Sequence, residues 1–103
     1  MTQAEVYTML KKLNIPVAYD HFQTTQKLPF MAFLYPESNN TFADGKVYHK
    51  SNVLHIELYT EKKDTALELK LETILDNNNI PYQKNEMWID EDKMFEILYI
   101  TEV

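Results

Sequence analysis

The sequence predicts an α+β domain: an antiparallel, or mostly antiparallel, sheet with two helices packed on one face, in the order α-β-β-β-α-β-β. Two observations carry this. Leu54-His55-Ile56-Glu57-Leu58-Tyr59-Thr60 alternates apolar and polar residues for one strand's length, the pattern of a sheet covered on one side only. Four residues later, past Glu61-Lys62-Lys63-Asp64, the period becomes helical from Thr65 to about Asn77, which supplies the cover.

The first helix is announced by a capping box, Thr2 with Glu5, and by Val6, Met9, Leu10 and Leu13 at i, i+3, i+4 and i+7. Asn14 and Pro16 stop it. A strand is expected over Val17 to Phe22, then a polar turn from Gln23 to Lys27. The run Leu28 to Pro36 is apolar on both faces, which places it centrally, with its prolines at the ends. Glu37 to Asn52 reads as a long irregular segment with a turn at Asp44-Gly45, the chain's single glycine. The next strand, about Tyr48 to Thr60, turns Leu54, Ile56 and Leu58 inward and leaves Val53, His55, Glu57 and Tyr59 on the other face.

In the second helix Asp64 is the cap and Leu67, Leu71, Ile74 and Leu75 form the buried stripe. Asn77-Asn78-Asn79 ends it, since asparagine tolerates left-handed geometry. A closing hairpin runs from Tyr82 to Ile89 and from Met94 to Thr101, turning through Asp90-Glu91-Asp92-Lys93. Asn14-Ile15-Pro16 and Asn79-Ile80-Pro81 echo each other after the two helices. Shared stop chemistry accounts for the echo more simply than duplication does.

At 103 residues and 45% hydrophobic content, the chain is expected to form one domain over 1–103. It contains no cysteine, which suits a reducing cytoplasm and leaves no thiolate for disulfide or metal. No apolar run approaches the ~18–20 residues of a membrane span, and polar Thr2-Gln3-Ala4-Glu5 is unlike a signal peptide. The net charge is −6 and all ten basic residues are lysine. Direct nucleic-acid recognition, which needs clustered cations and favours arginine forks, is not expected.

The chemistry-bearing residues form no catalytic constellation. His55 and Glu57 share a strand face and could pair, but alternation alone explains both positions. His21 and His49 belong to no spaced metal motif. Asp90-Glu91-Asp92 lacks the register of a calcium loop and reads as an acidic turn, of the kind that can dock a basic partner. A single glycine leaves no phosphate-cradling loop. Leu69 falls ~200° from Leu67 on the helical wheel and so leaves the core stripe. With Tyr7 and Met31, also taken as surplus to the core, and seven tyrosines, it points to self-association. The expectation is a non-enzyme with no metal and no cofactor.

Leu28-Pro29-Phe30, Tyr35-Pro36, Asn40-Thr41-Phe42-Ala43-Asp44-Gly45-Lys46-Val47-Tyr48, Leu58-Tyr59-Thr60-Glu61-Lys62-Lys63-Asp64 and Met94-Phe95-Glu96-Ile97-Leu98-Tyr99 together give a whole-chain pattern. It resembles the head–tail joining, or tail-completion, proteins of long-tailed bacteriophages and prophages of Gram-positive bacteria, and the element order looks like the tail-terminator fold. The resemblance implies a structural virion protein that ends the tail tube and joins it to the head connector. It would act as a ring, usually sixfold, touching the major tail tube protein and the head-completion protein. Its place would be the neck of the virion, reached from the host cytoplasm during assembly. Interface residues are then expected in the long segment (Phe42, Asp44, Lys46, Tyr48), on the strand face (His55, Glu57), at Leu69, and in the acidic turn (Asp90, Glu91, Asp92). The alternatives are another neck protein, a stopper or adaptor, or a small acidic regulatory module that blocks a protein partner.

Overall fold

The computed structural model describes residues 1–43 and 45–103, and the side chains of all of these except 41–43 and 47–49. The order is α1 (Gln3–Lys11), β1 (Val17–Tyr19), β2 (Phe30–Ser38), β3 (Thr41–Ala43), β4 (Lys46–His49), β5 (Asn52–Thr60), α2 (Thr65–Asn77), β6 (Gln83–Ile89) and β7 (Met94–Glu102). Five strands form one sheet in the order β1-β2-β5-β7-β6, while β3 and β4 pair only with each other. The fold is α+β, and the expected order holds for the five-stranded sheet.

Both helices begin as their caps dictate. The Thr2 hydroxyl accepts from the Glu5 amide at 3.1 Å and the Glu5 carboxylate accepts from the Thr2 amide at 2.8 Å, the reciprocal capping box. The Asp64 carboxylate accepts from the Leu67 amide at 3.0 Å. α2 ends in a full Schellman motif: Ile80 N–H reaches the Leu75 carbonyl, Asn79 N–H reaches that of Asp76, and Asn79 takes φ 56°. Ile80 is then delivered into the core. Asn14, at φ 61°, closes the turn after α1, so the echoed Asn-Ile-Pro triplets share the left-handed asparagine that stops each helix.

The core forms on one face of the sheet. Met31 and Phe33 of β2, Leu54, Ile56 and Leu58 of β5, and Ile97 and Tyr99 of β7 are buried. The pairings Met31↔Leu58↔Ile97 and Phe33↔Ile56↔Tyr99 bring them into rows across the ladder. Val6, Met9 and Leu10 of α1 and Leu71 and Leu75 of α2 complete the same cluster. Met31 is fully buried, which corrects the expectation that it is surplus: β2 is an interior strand, and its odd-numbered residues face the core. Tyr7 and Leu69 do stand exposed, at 41% and 63%.

The sheet is mostly antiparallel, as expected, with β1 alone running parallel to its neighbour β2. Three further expectations are corrected. β1 stops at Tyr19, three residues short of Phe22, where Asp20 turns to φ 64°. β2 runs from Phe30 to Ser38, and Pro36 lies within it, not at its end. A register shift between Leu34 and Glu37 places the proline in a bulge, where its missing N–H breaks no ladder bond. The segment from Glu37 to Asn52, expected to be irregular, is mostly strand: it carries the end of β2 and the β3–β4 hairpin, and β5 begins at Asn52, not Tyr48. Gly45 takes φ 73° in the hairpin turn, a conformation glycine adopts without steric cost.

Candidate functional site

Strand alternation sends the even-numbered residues of β2 and the odd-numbered residues of β5 to the face turned away from the core. That face carries Phe30, Ala32 and Leu34, then Val53, His55, Glu57 and Tyr59, then Glu96, Leu98 and Ile100 of β7. Apart from buried Ala32, all of these are half-buried. The face is mainly apolar and carries two carboxylates.

Those two carboxylates meet. Tyr59 lies opposite Glu96 and Glu57 opposite Leu98 in the β5–β7 register, so Glu57 and Glu96 are neighbours across the ladder. Tyr59 Oη donates to Glu96 Oε1 at 2.9 Å. Partial burial pushes the Glu57 carboxyl up to about 7. The Glu96 charge and a hydrogen bond shared with Glu96 add to this, and a bond from Tyr59 works against it. Glu57 therefore holds a proton near neutrality. Burial and both carboxylates push the Tyr59 phenol well above its ordinary range.

Beside the pair the β1–β2 connection folds over the end of the sheet and forms a groove of about 520 Å³, lined by Asp20, Phe22, Gln26, Phe30, Tyr59 and Asp92 among others. Its floor is aromatic: Phe22 meets Phe30 edge-on at 5.5 Å, and Phe30 stacks on Tyr59 at 5.0 Å. An acidic, aromatic groove suits a cationic or apolar group presented by another molecule.

A second polar centre lies between α2 and β6. Glu68 is only 2% exposed, yet Lys84 Nζ lies 2.6 Å from its Oε1 and Lys63 Nζ 2.8 Å from its Oε2. Lys84 also reaches Glu72 Oε2 at 2.8 Å, Lys63 also pairs with Glu86, and Tyr99 Oη donates to Glu72 at 2.7 Å. Burial opposes the Lys84 charge, but the bonds to Glu68 and Glu72 outweigh it and hold the ammonium at about 12. This network fastens α2 to the sheet.

His55 and Glu57 do share a face as expected, but Glu57 bonds toward Glu96 and Tyr59 and not to His55. Asp92 lines the groove, whose walls include neither His55 nor Glu57. Asp90 is occupied by the Lys93 ammonium at 2.7 Å and the Trp88 indole at 3.3 Å, and the lysine bond lowers its pKa; Glu91 is exposed in the same turn. Leu69 stands apart, on the outside of α2. Lys46 is exposed on β4, while Asp44 and the side chains of Phe42 and Tyr48 lie outside the described residues. Sequence reading missed Glu96 and Glu68. Alternation flagged Glu57 and Tyr59, but only the β5–β7 register identifies their partner. Glu68 looks like a solvated helix position until Lys84 is seen against it.

Among the described residues no three His, Asp or Glu side chains are grouped to hold a metal ion, and no helix is long and apolar enough to cross a membrane. Compared with known protein families and with curated proteins, the chain matches no family model and no individual sequence.

Proposed function

We propose that the protein is a structural subunit of the head–tail junction of a long-tailed phage, a tail terminator that assembles as a ring and docks by surface complementarity, without catalysis or cofactor. The observation that carries this reading is the half-buried sheet face, where Leu34, Val53, Leu98 and Ile100 surround His55 and the Glu57–Glu96 pair. Such a face is too apolar to be indifferent to other surfaces and too charged to serve as an ordinary core. We infer further that both helices cover the opposite face. Support comes from the single buried cluster in which Val6 and Leu10 meet Leu71, Leu75, Phe33, Ile56 and Tyr99. Among the described residues β3 and β4 form a two-stranded ladder separate from the main sheet, which suits an arm that reaches a neighbouring subunit or the tail tube.

The partners in this reading are further copies of the chain, a tail tube protein and a head-completion protein, met in the host cytoplasm and kept in the virion neck. The test is electron microscopy of lysates from a phage carrying a disrupted copy of this gene. Separate heads and tails of uncontrolled length are expected. Separate heads with tails of normal length would replace the terminator with a stopper or adaptor. Complete virions would overturn the assembly role and leave the acidic regulatory module.

A further inference from the structure

We propose that two copies of this chain join through β6, paired antiparallel with its symmetry mate so that the two-fold axis passes at Asn85 and the two sheets run on as one. This inference concerns the free chain in solution, rests on the sheet edge alone and does not depend on the phage reading; in a ring whose subunits all face one way the pair gives way to head-to-tail contacts.

β6 ends the sheet, so among the described residues one side of its backbone has no ladder partner. It is seven residues long, pairs with β7 without any register shift, and contains neither proline nor glycine. These are the devices that ordinarily blunt an edge, together with outward-pointing lysine. Here Lys84 is drawn in toward Glu68 and Glu72, and Glu86 toward Lys63. Met87 and Trp88, by contrast, are 55% and 46% exposed. An edge left this regular favours strand addition.

Charge chooses the occupant and the register. With Asn85 on the axis, Lys84 of each copy faces Glu86 of the other, on the side of the sheet where both already belong to the ion network. Lys84 spends two of its three N–H donors on Glu68 and Glu72, leaving one free. Lys63 contacts Oε1 of Glu86, leaving the second oxygen open. The two unfilled positions match, twice over by symmetry. Moving the axis to Glu86 would set that carboxylate against its own copy, a destabilising like-charge pair. On the opposite side of the sheet the chosen register sets Met87 against Gln83 of the partner, giving the exposed thioether an amphipathic cover. Leu69, which borders the cleft between α2 and β6, flanks the same edge.

The test uses the full chain, which has no native cysteine. Cross-strand residues directly opposite each other have Cβ atoms ~4.5–5.5 Å apart, close enough for a disulfide to form with small backbone adjustment. Asn85→Cys should therefore oxidise to a covalent pair at least ~10-fold faster than Lys12→Cys, an exposed position at the end of α1. Light scattering of the unmodified chain should give twice 12.3 kDa or a multiple of that pair. Lys84→Glu should abolish the pair, and Lys84→Glu combined with Glu86→Lys should restore it. Because Lys84→Glu also sets a third carboxylate against Glu68 and Glu72, only variants with native circular dichroism are scored, and Asn85→Cys decides where they fail to fold. The proposal is overturned by Asn85→Cys oxidising no faster than Lys12→Cys, or by a monomeric mass up to ~1 mM. It is equally overturned by an oligomer whose β6 amides exchange as fast at high concentration as at low.

Discussion

Tyr59 Oη donates to Glu96 Oε1 at 2.9 Å, across the β5–β7 ladder where the two residues stand directly opposite. The bond places a carboxylate beside Glu57 on a face with little water to screen it.

Glu57 makes stability depend on pH. Its folded pKa is raised from 4.5 to about 7, so between those values the folded chain holds a proton that the unfolded chain releases. This contribution to stability is fully present below pH 4.5 and is lost as pH rises through 7. Glu57→Gln should raise stability at pH 8 by about 1 kcal/mol, a figure discounted for the exposed half of the side chain. It should also flatten the profile between pH 5 and 8, as read from urea melts across that range.

Lys84 acts in the same direction but in a far more alkaline window. Its folded pKa is raised to about 12, so its stabilisation is complete below the ordinary lysine value near ~10.4 and is lost as pH climbs through 12. Lys84→Met leaves the buried Glu68 carboxylate with Lys63 alone and the half-buried Glu72 with the Tyr99 hydroxyl. A loss of ~2–3 kcal/mol is expected by chemical denaturation at pH 7, toward the low end for a broken ion pair because Lys84 itself is partly exposed. Lys84→Met with Glu68→Leu should recover most of that loss.

Leu69 and Leu71 sit two residues apart in α2, one 63% exposed and the other fully buried. Leu71→Ala should cost ~2–5 kcal/mol by opening a cavity against the sheet. Leu69→Ala should stay within ~0.5 kcal/mol in dilute monomer. A thermal melt of each variant separates the two.

Asn14 and Asn79 both hold positive φ. Asn79→Ala should cost about 1 kcal/mol because alanine lacks asparagine's tolerance of that conformation, whereas Asn79→Gly should be neutral or slightly stabilising. The same pair of changes at Asn14 should follow the same order, measured by thermal denaturation.

What the sequence determined by itself is local. The Thr2–Glu5 box, the Asp64 cap, the asparagine stops and the alternation of Leu54 to Thr60 each act within a few residues, and each is present as read. Their energies depend on neighbours along the chain, which a sequence displays directly. The tertiary structure decided everything that depends on pairing between distant segments. It set β1 parallel to β2, placed Met31 inside, paired β3 with β4 apart from the main sheet, brought Glu96 beside Glu57, and buried Glu68 against Lys63 and Lys84. A strand's period says which residues share a face but not which strand lies alongside. That choice is made by the summed burial and charge of the whole sheet, and the candidate site exists only once it has been made.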